Sequence, residues 1–273
     1  MLASKMDSNK FEHKKSLGQN FLTSDFVPKQ MCDAADLQPG DIVLEIGPGS
    51  GVLTREILKR GAKVLAIEAD LRAIDLLKAD FSKEINDGDL TVLHQDAREI
   101  SAEALGLLAG EFKVVANIPY YISGLLFRKI LDTDVRPNTL VFLIQKEVAE
   151  RIAREAKESL LSLSIKIFGE PSYICTVKRG HFSPPPKVDS AVVAVNNIRR
   201  QPTTPEDTLF FKLIHLGFAQ KRKQLLGNLS VTYSRDTLNE VFNKLGLPLN
   251  IRAEDVDLRT WLKLTKELAV LST

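Results

Sequence analysis

Several short stretches of this chain carry residues whose type and spacing could do chemistry. The first is Glu45-Ile46-Gly47-Pro48-Gly49-Ser50-Gly51. Glycines at a strand-to-helix turn let the backbone pass close to a ligand, because no Cβ stands in the way. Their spacing says which ligand. A dinucleotide fingerprint reads G-x-G-x-x-G, and counting from Gly47 puts Val52 where its third glycine belongs. Pro48 also lacks the N–H that a pyrophosphate would use. A nucleoside without phosphates suits the loop better.

Two carboxylates extend this pattern. Glu68, in Ile67-Glu68-Ala69-Asp70, lies about twenty residues beyond the glycines, where a doubly wound fold grips ribose hydroxyls; Asp70 reads as a helix cap. Asp96, in Gln95-Asp96-Ala97, could accept a hydrogen bond from an adenine amine, or could equally cap a turn. Gly47, Gly49, Gly51, Glu68, Asp96 and Ala97 together fit S-adenosyl-L-methionine, which carries a ribose, an adenine and an amino-acid tail. Ligands of such sheets bind outside the carboxyl ends of the strands.

The third stretch is Asn117-Ile118-Pro119-Tyr120. The lone pair of adenine N6 is delocalised into the ring, and in-line methyl transfer needs it aimed at carbon. Two acceptors on the N6 hydrogens would localise it. Asn117 Oδ1 can be one and the Ile118 carbonyl the other, with Pro119 stiffening the turn and Tyr120 stacking on the base. Such a site works by positioning and electrostatics rather than by a strong base. As a lone tetrapeptide it could equally be a turn with a buried aromatic; a place at a strand end beside the cofactor crevice favours the chemical role.

These residues need a scaffold that brings strand ends together. Ile42–Ile46, Lys63–Ile67, Leu90–His94, Phe112–Ala116 and Leu140–Gln145 read as buried strands, and Gly51–Arg60 and Leu71–Phe81 have helical spacing between them. This alternation predicts an α/β fold, a Rossmann-like parallel sheet with helices on both faces. Tyr173–Lys178 and Ser190–Asn196 read as an antiparallel pair closing the sheet, joined through the proline-rich 183–187. Residues 199–205 read as a linker, with Thr204 as N-cap, Pro205 at the first helical position, and Glu206 and Asp207 in the first turn. The rest is helical, so the expected domains are 1–200 and 201–273.

Bulk properties set outer limits. With 273 residues, the chain can hold one α/β domain and a smaller appendage. No apolar run approaches the roughly 18 residues of a membrane span. Lys5, Lys10, Lys14 and Lys15 have no apolar segment behind them, so no signal peptide is expected. Cys32 and Cys175 stand apart as inert thiols suited to a reducing cytoplasm, and His13, His94, His181 and His215 share no ligand spacing, so no metal is expected. The net charge is only +2, so any nucleic acid must meet local patches. Lys221, Arg222 and Lys223 are the leading phosphate-contact candidates, with a solvated helix end as the alternative; Lys178, Arg179 and Arg199 are weaker ones.

Leu17-Gly18-Gln19-Asn20-Phe21-Leu22, the loop 45–51, Asn117–Tyr120 and Phe182-Ser183-Pro184-Pro185-Pro186-Lys187-Val188-Asp189-Ser190 occur in the order found in ribosomal RNA adenine N6,N6-dimethyltransferases. The chain resembles the bacterial small-subunit members of that family over nearly its whole length, with Lys221–Leu225 and Arg252-Ala253-Glu254 similar to their C-terminal signatures. The resemblance implies a class I methyltransferase sheet with a small all-helical C-terminal domain. It implies transfer of four methyl groups to two adjacent adenosines near the 3′ end of small-subunit rRNA, by a cytoplasmic monomer acting on an immature small ribosomal subunit. It also implies that Asn20, Leu22, Gly47, Glu68, Asp96 and Asn117 contact the cofactor, and that Phe182 faces Tyr120 across the target base. Leu226-Gly227-Asn228 departs from the Arg-Asn type of continuation common in the family. Two other readings stand beside this one: a large-subunit methylase of the macrolide-resistance type, and a catalytically silent RNA-binding factor.

Overall fold

The computed structural model describes residues 20–199, 201 and 203–270. The lysines and histidine of the N-terminal segment, Leu17–Gln19 of the first motif, and Arg200 and Pro202 of the linker lie outside the described residues. In chain order the elements are β1 (Phe21–Leu22), α1 (Phe26–Ala34), β2 (Ile42–Ile46), α2 (Val52–Lys59), β3 (Lys63–Glu68), α3 (Leu71–Asp80), α4 (Ser82–Asn86), β4 (Leu90–His94), β5 (Phe112–Asn117) and α5 (Ser123–Leu131). They continue with β6 (Thr139–Gln145), α6 (Lys146–Ala153), α7 (Leu160–Lys166), β7 (Glu170–Val177), β8 (Phe182–Ser183), β9 (Ser190–Asn196), α8 (Pro205–Gly217), α9 (Leu225–Leu229), α10 (Arg235–Leu245) and α11 (Leu258–Val270).

Seven strands form one sheet in the order β4-β3-β2-β5-β6-β9-β7. The first five are parallel; β9 runs antiparallel to both β6 and β7. Strands buried on both faces read as continuous apolar runs, which is why their positions were plain in the sequence. Side chains alternate between faces. Leu44, Val114, Phe142 and Val193 enter one apolar layer with α5 and α6, and Val43, Val115, Val141 and Val192 enter the other with α1 and α2. Between β2 and β5 the strand order reverses, since β3 lies to one side of β2 and β5 to the other. That reversal opens a crevice at the strands' carboxyl ends. A separate two-stranded ribbon pairs β1 with β8 antiparallel and joins Phe21–Leu22 to the start of the proline-rich loop.

Helix α8 begins as the sequence predicts. Thr204 and Asp207 form a reciprocal capping box with Pro205 in the first turn. Helices α8–α11 share an apolar cluster centred on Phe210, Phe242 and Trp261, to which Leu163 of α7 also contributes. The segment leading into them is latched by Arg136, which is fully buried. Its guanidinium donates to the Leu131 carbonyl (2.6 Å), the Gln201 carbonyl and Thr203 Oγ1 (2.8 Å). Arg199 was a candidate for phosphate contact, but here it turns inward. Its Nη2 meets Asp207 at 2.6 Å and its guanidinium lies over the Phe168 ring, so the role is internal.

Gly217 shows how tightly α8 meets α11. A Cβ there would stand 2.5 Å from Trp261 Cη2 and 2.9 Å from Leu225 Cδ1. Gly217→Ala is therefore expected to destabilise the protein by about 1–3 kcal/mol despite the better helix propensity of alanine, read as a lowered denaturation midpoint in urea.

Candidate active site

The glycine loop leaves β2 with Gly47, Gly49 and Gly51 all at positive φ (67°, 55° and 74°), where an L side chain is strained. It is tied to β3 by Gly47 N–H donating to the Ile67 carbonyl at 2.9 Å. Glu68, at the end of β3, does more than face a ligand. Its Oε2 accepts from Gly49 N–H (3.1 Å), and its Oε1 accepts from Ala69 and Asp70 N–H (2.8 and 2.9 Å). A carboxylate has about four acceptor sites, so one remains for a ribose hydroxyl. Asp70 caps α3 as predicted, accepting from Arg72 N–H.

A cavity of about 130 Å³ opens at the strand ends. Asn20, Gly47, Gly49, Glu68, Asp96, Ala97, Asn117, Ile118, Pro119 and Tyr120 line it, so the structure brings together most of the residues singled out from the sequence. Three do not line it. Gly51 sits at the N-cap of α2 against Phe81, and Leu22 is buried beside a smaller void. Phe182, expected across from Tyr120, is only 4% exposed, and its β8 register places it opposite Leu22. Asp96 is engaged already. It caps the short 3₁₀ turn Ala97–Glu99, and Arg98 Nε and Nη2 meet its carboxylate at 3.0 and 2.6 Å, which holds it below the usual carboxylate range.

Asn117 ends β5. Its Nδ2 donates to the Asn20 carbonyl at 3.2 Å. Because only the amide nitrogen can donate to a carbonyl, this bond fixes the side-chain orientation, and Oδ1 has no donor among the described residues. The Ile118 carbonyl is likewise without a donor there, so both expected acceptors are free. Tyr120 is held by its hydroxyl, 2.6 Å from Ser190 Oγ at the start of β9, and burial raises its pKa. Ser190 was not identified from the sequence, and nothing local could have shown it, since 70 residues separate the pair. Arg98, Tyr121 and Phe21 also line the cavity unforeseen. Arg98 follows Asp96 at the spacing of a capped turn, the one signal available in advance.

The lining says what could bind. Among the described residues its carboxylates are Glu68 and Asp96, and its one cation, Arg98, is spent on Asp96. Such walls suit a cationic donor and repel a pyrophosphate. The residues therefore fit S-adenosyl-L-methionine: Glu68 for the ribose, the Asp96–Ala97 turn beside the adenine, and the glycine loop for close approach. Among the described residues no group of three His, Cys, Asp or Glu side chains could hold a metal ion, and no helix is long and apolar enough to cross a membrane. Cys32 is buried, which pushes its thiol up to about 12.

The basic turn lies elsewhere. Lys221, Arg222 and Lys223 are exposed in the connection between α8 and α9 rather than on a helix end, and form no ion pair among the described residues. Asn228, part of the departure from the family pattern, anchors that connection by donating to the Gly217 and Gln220 carbonyls (2.5 and 3.3 Å). In the C-terminal signature, Glu254 pairs with Lys157 at 2.5 Å, a structural contact.

A doubly wound sheet with a glycine loop of this spacing, a carboxylate at the end of β3 and an Asn-x-Pro-Tyr strand end marks the class of S-adenosylmethionine-dependent methyltransferases. The model of the family "Ribosomal RNA adenine dimethylase" matches residues 10–270, and the chain belongs to that family. It is 38% identical over 270 residues to ribosomal RNA small subunit methyltransferase A of Dehalococcoides mccartyi, covering 97% of this chain and 91% of the relative. It is 34% identical to the protein of that name from Fusobacterium nucleatum, covering 94% and 97%. Among solved structures it is similar to a dimethyladenosine transferase from Plasmodium falciparum (TM-score 0.75, 27% identity, 92% of this chain and 98% of that one). It is also similar to the 23S rRNA methyltransferase ErmE (TM-score 0.74, 25% identity, 92% and 100%).

Glu45, the first residue of the glycine motif, is 1% exposed. Thr54 donates to its Oε2 at 2.7 Å, while its Oε1 has no partner. Burial raises its pKa from 4.5 to about 8. Between those values the folded protein holds a proton that the unfolded chain has released, so stability falls as pH rises through the window. Glu45→Gln removes the titration. The variant's melting temperature should gain on wild type from about pH 4.5 to 8, and a constant gap would refute the buried acid.

Proposed function

We propose that this enzyme transfers methyl groups from S-adenosyl-L-methionine to N6 of two adjacent adenosines near the 3′ end of small-subunit rRNA, within an immature small ribosomal subunit in the cytoplasm. The observation that carries the adenine amine is Asn117. Its Nδ2 is fixed by the Asn20 carbonyl, so Oδ1 and the Ile118 carbonyl are left as the two acceptors for the N6 hydrogens. When bound, the cofactor supplies an electrophilic methyl group on sulfur. Asn117 and Ile118 hold the amine so that its lone pair points out of the ring plane. Pro119 sets the turn, and Tyr120, anchored on Ser190, offers its ring to the flipped base. Neutral acceptors admit both NH₂ and an already methylated amine.

The small subunit as address is supported by the identity to small-subunit relatives over nearly the whole chain. In this reading, residues 1–200 hold the cofactor and the base, and residues 201–273 meet the ribosomal RNA through Lys221, Arg222 and Lys223. The second reading, a large-subunit methylase, has the likeness to ErmE behind it. Labelled-methyl transfer to immature small subunits and to large-subunit RNA, offered separately, decides between them. Label confined to the large-subunit RNA would overturn the address, and label in neither would favour a silent binding protein.

Asn117→Ala should cost about 3 kcal/mol of transition-state stabilisation, roughly a hundredfold in kcat or more, with RNA affinity little changed in a filter-binding assay. Neutralising one of Lys221, Arg222 or Lys223 should flatten the slope of log affinity against log salt by about one unit, whereas a merely solvated turn would leave it as it was.

A further inference from the structure

A second basic cluster is tied to the catalytic residues through neighbouring links in the chain. Lys178, Arg179, Lys187 and Asp189 line an open depression of about 480 Å³, and all three cations are exposed. Asp189 organises it. Its Oδ2 pairs with Lys178 Nζ at 2.9 Å and its Oδ1 accepts from Arg179 N–H at 3.1 Å. Lys178 is thereby partly neutralised, while Arg179 and Lys187 have no ion pair among the described residues.

Two covalently adjacent links join this cluster to the chemistry. Ser190, next after Asp189, holds the Tyr120 hydroxyl. The turn Arg179–His181 leads into β8, and the His181 carbonyl accepts from Thr23 N–H at 2.9 Å, just beyond β1. Asn20, which immediately precedes β1, orients Asn117 through its carbonyl. The cluster is thus built into the same frame as the tetrapeptide. Beside it, the His181 ring lies 6.2 Å from Phe26, which is 52% exposed. Cations interleaved with an exposed aromatic are what a single-stranded nucleic acid needs: charge for the backbone and a π-face for a base.

We propose that Arg179 and Lys187 form a phosphate-binding site for the RNA strand flanking the target adenosine, with the Phe26–His181 pair as a platform for a neighbouring base. This rests on the RNA reading above. Phosphate contacts position without reading sequence, so the site would set how the strand enters the crevice and leave the choice of base to Asn117.

The test is a salt titration of the full chain with an RNA hairpin from the 3′ end of small-subunit rRNA, alongside methyl transfer to immature subunits and cofactor affinity. Arg179→Ala and Lys187→Ala should each weaken RNA binding several-fold at low salt and flatten the slope by about 0.7 to 0.9. Cofactor affinity should stay at the wild-type value, and Lys187→Arg should restore the slope. Unchanged slopes in both alanine variants, while wild type binds and methylates the RNA, overturn this site alone. A defect seen only with assembled subunits and never with the hairpin would assign the surface to a ribosomal protein and also overturn it. A wild-type chain that neither binds nor methylates RNA would sink the functional reading and this site with it.

Discussion

One buried carboxylate sets the geometry on which the cofactor crevice depends. Glu68 gathers three backbone N–H groups from two separate loops, those after β2 and after β3. Hydrogen bonds to a charged acceptor are worth about 1.5–3 kcal/mol each, and here they replace the water that the 6% exposed side chain has lost. The anion therefore does two jobs. It locks the glycine loop against the sheet at left-handed φ values, and it keeps one acceptor site spare on the wall of the crevice. The parallel order of β2, β3 and β5 puts the Asn117 acceptor on the same rim, so the two groups of residues share one crevice because the strand ends do.

The target-base side is organised differently. Tyr120 and Asn117 are each held by a bond from a remote segment, Ser190 of β9 and Asn20 before β1. Phe182 is buried in the apolar layer that holds α1 and α2, opposite Leu22. The cofactor side of the crevice is preformed, whereas only one of the two rings expected around the base stands at its edge. The two held side chains therefore meet the crevice from fixed positions, beside a two-stranded ribbon that carries Phe182 on its inner side.

Legibility in the sequence followed burial. Ile42–Ile46 and Ser190–Asn196 are legible with their full bounds, because strands covered on both faces are apolar along most of their length, Glu45 and the terminal Ser190 and Asn196 apart. Strand β7 begins three residues earlier than expected, at Glu170-Pro171-Ser172, because an edge strand tolerates polar residues and proline. The two-residue strands β1 and β8 have no period to detect. Chemistry followed a similar rule. Glu68, the glycines and Asn117 sit at strand ends, where position implies purpose. Asp96 is legible as both ligand and cap, whereas its partner Arg98 is marked only by its place two residues along a capped turn. The inward turn of Arg199 and the clamp of Ser190 on Tyr120 depend on tertiary contacts that local pattern does not encode.

The glycine loop also constrains how such a protein can vary. A Cβ on Gly49 would stand 2.7 Å from Phe21 Cε1, so the ring occupies the space a side chain would need. Residues 21 and 49 are consequently coupled through packing. A side chain at 49 would be strained at its φ of 55° whatever stood at 21, and would also press on β1, whose preceding residue, Asn20, holds Asn117 through its carbonyl. Drift in an N-terminal strand far from the glycines in sequence is thereby made visible to selection on methyl transfer.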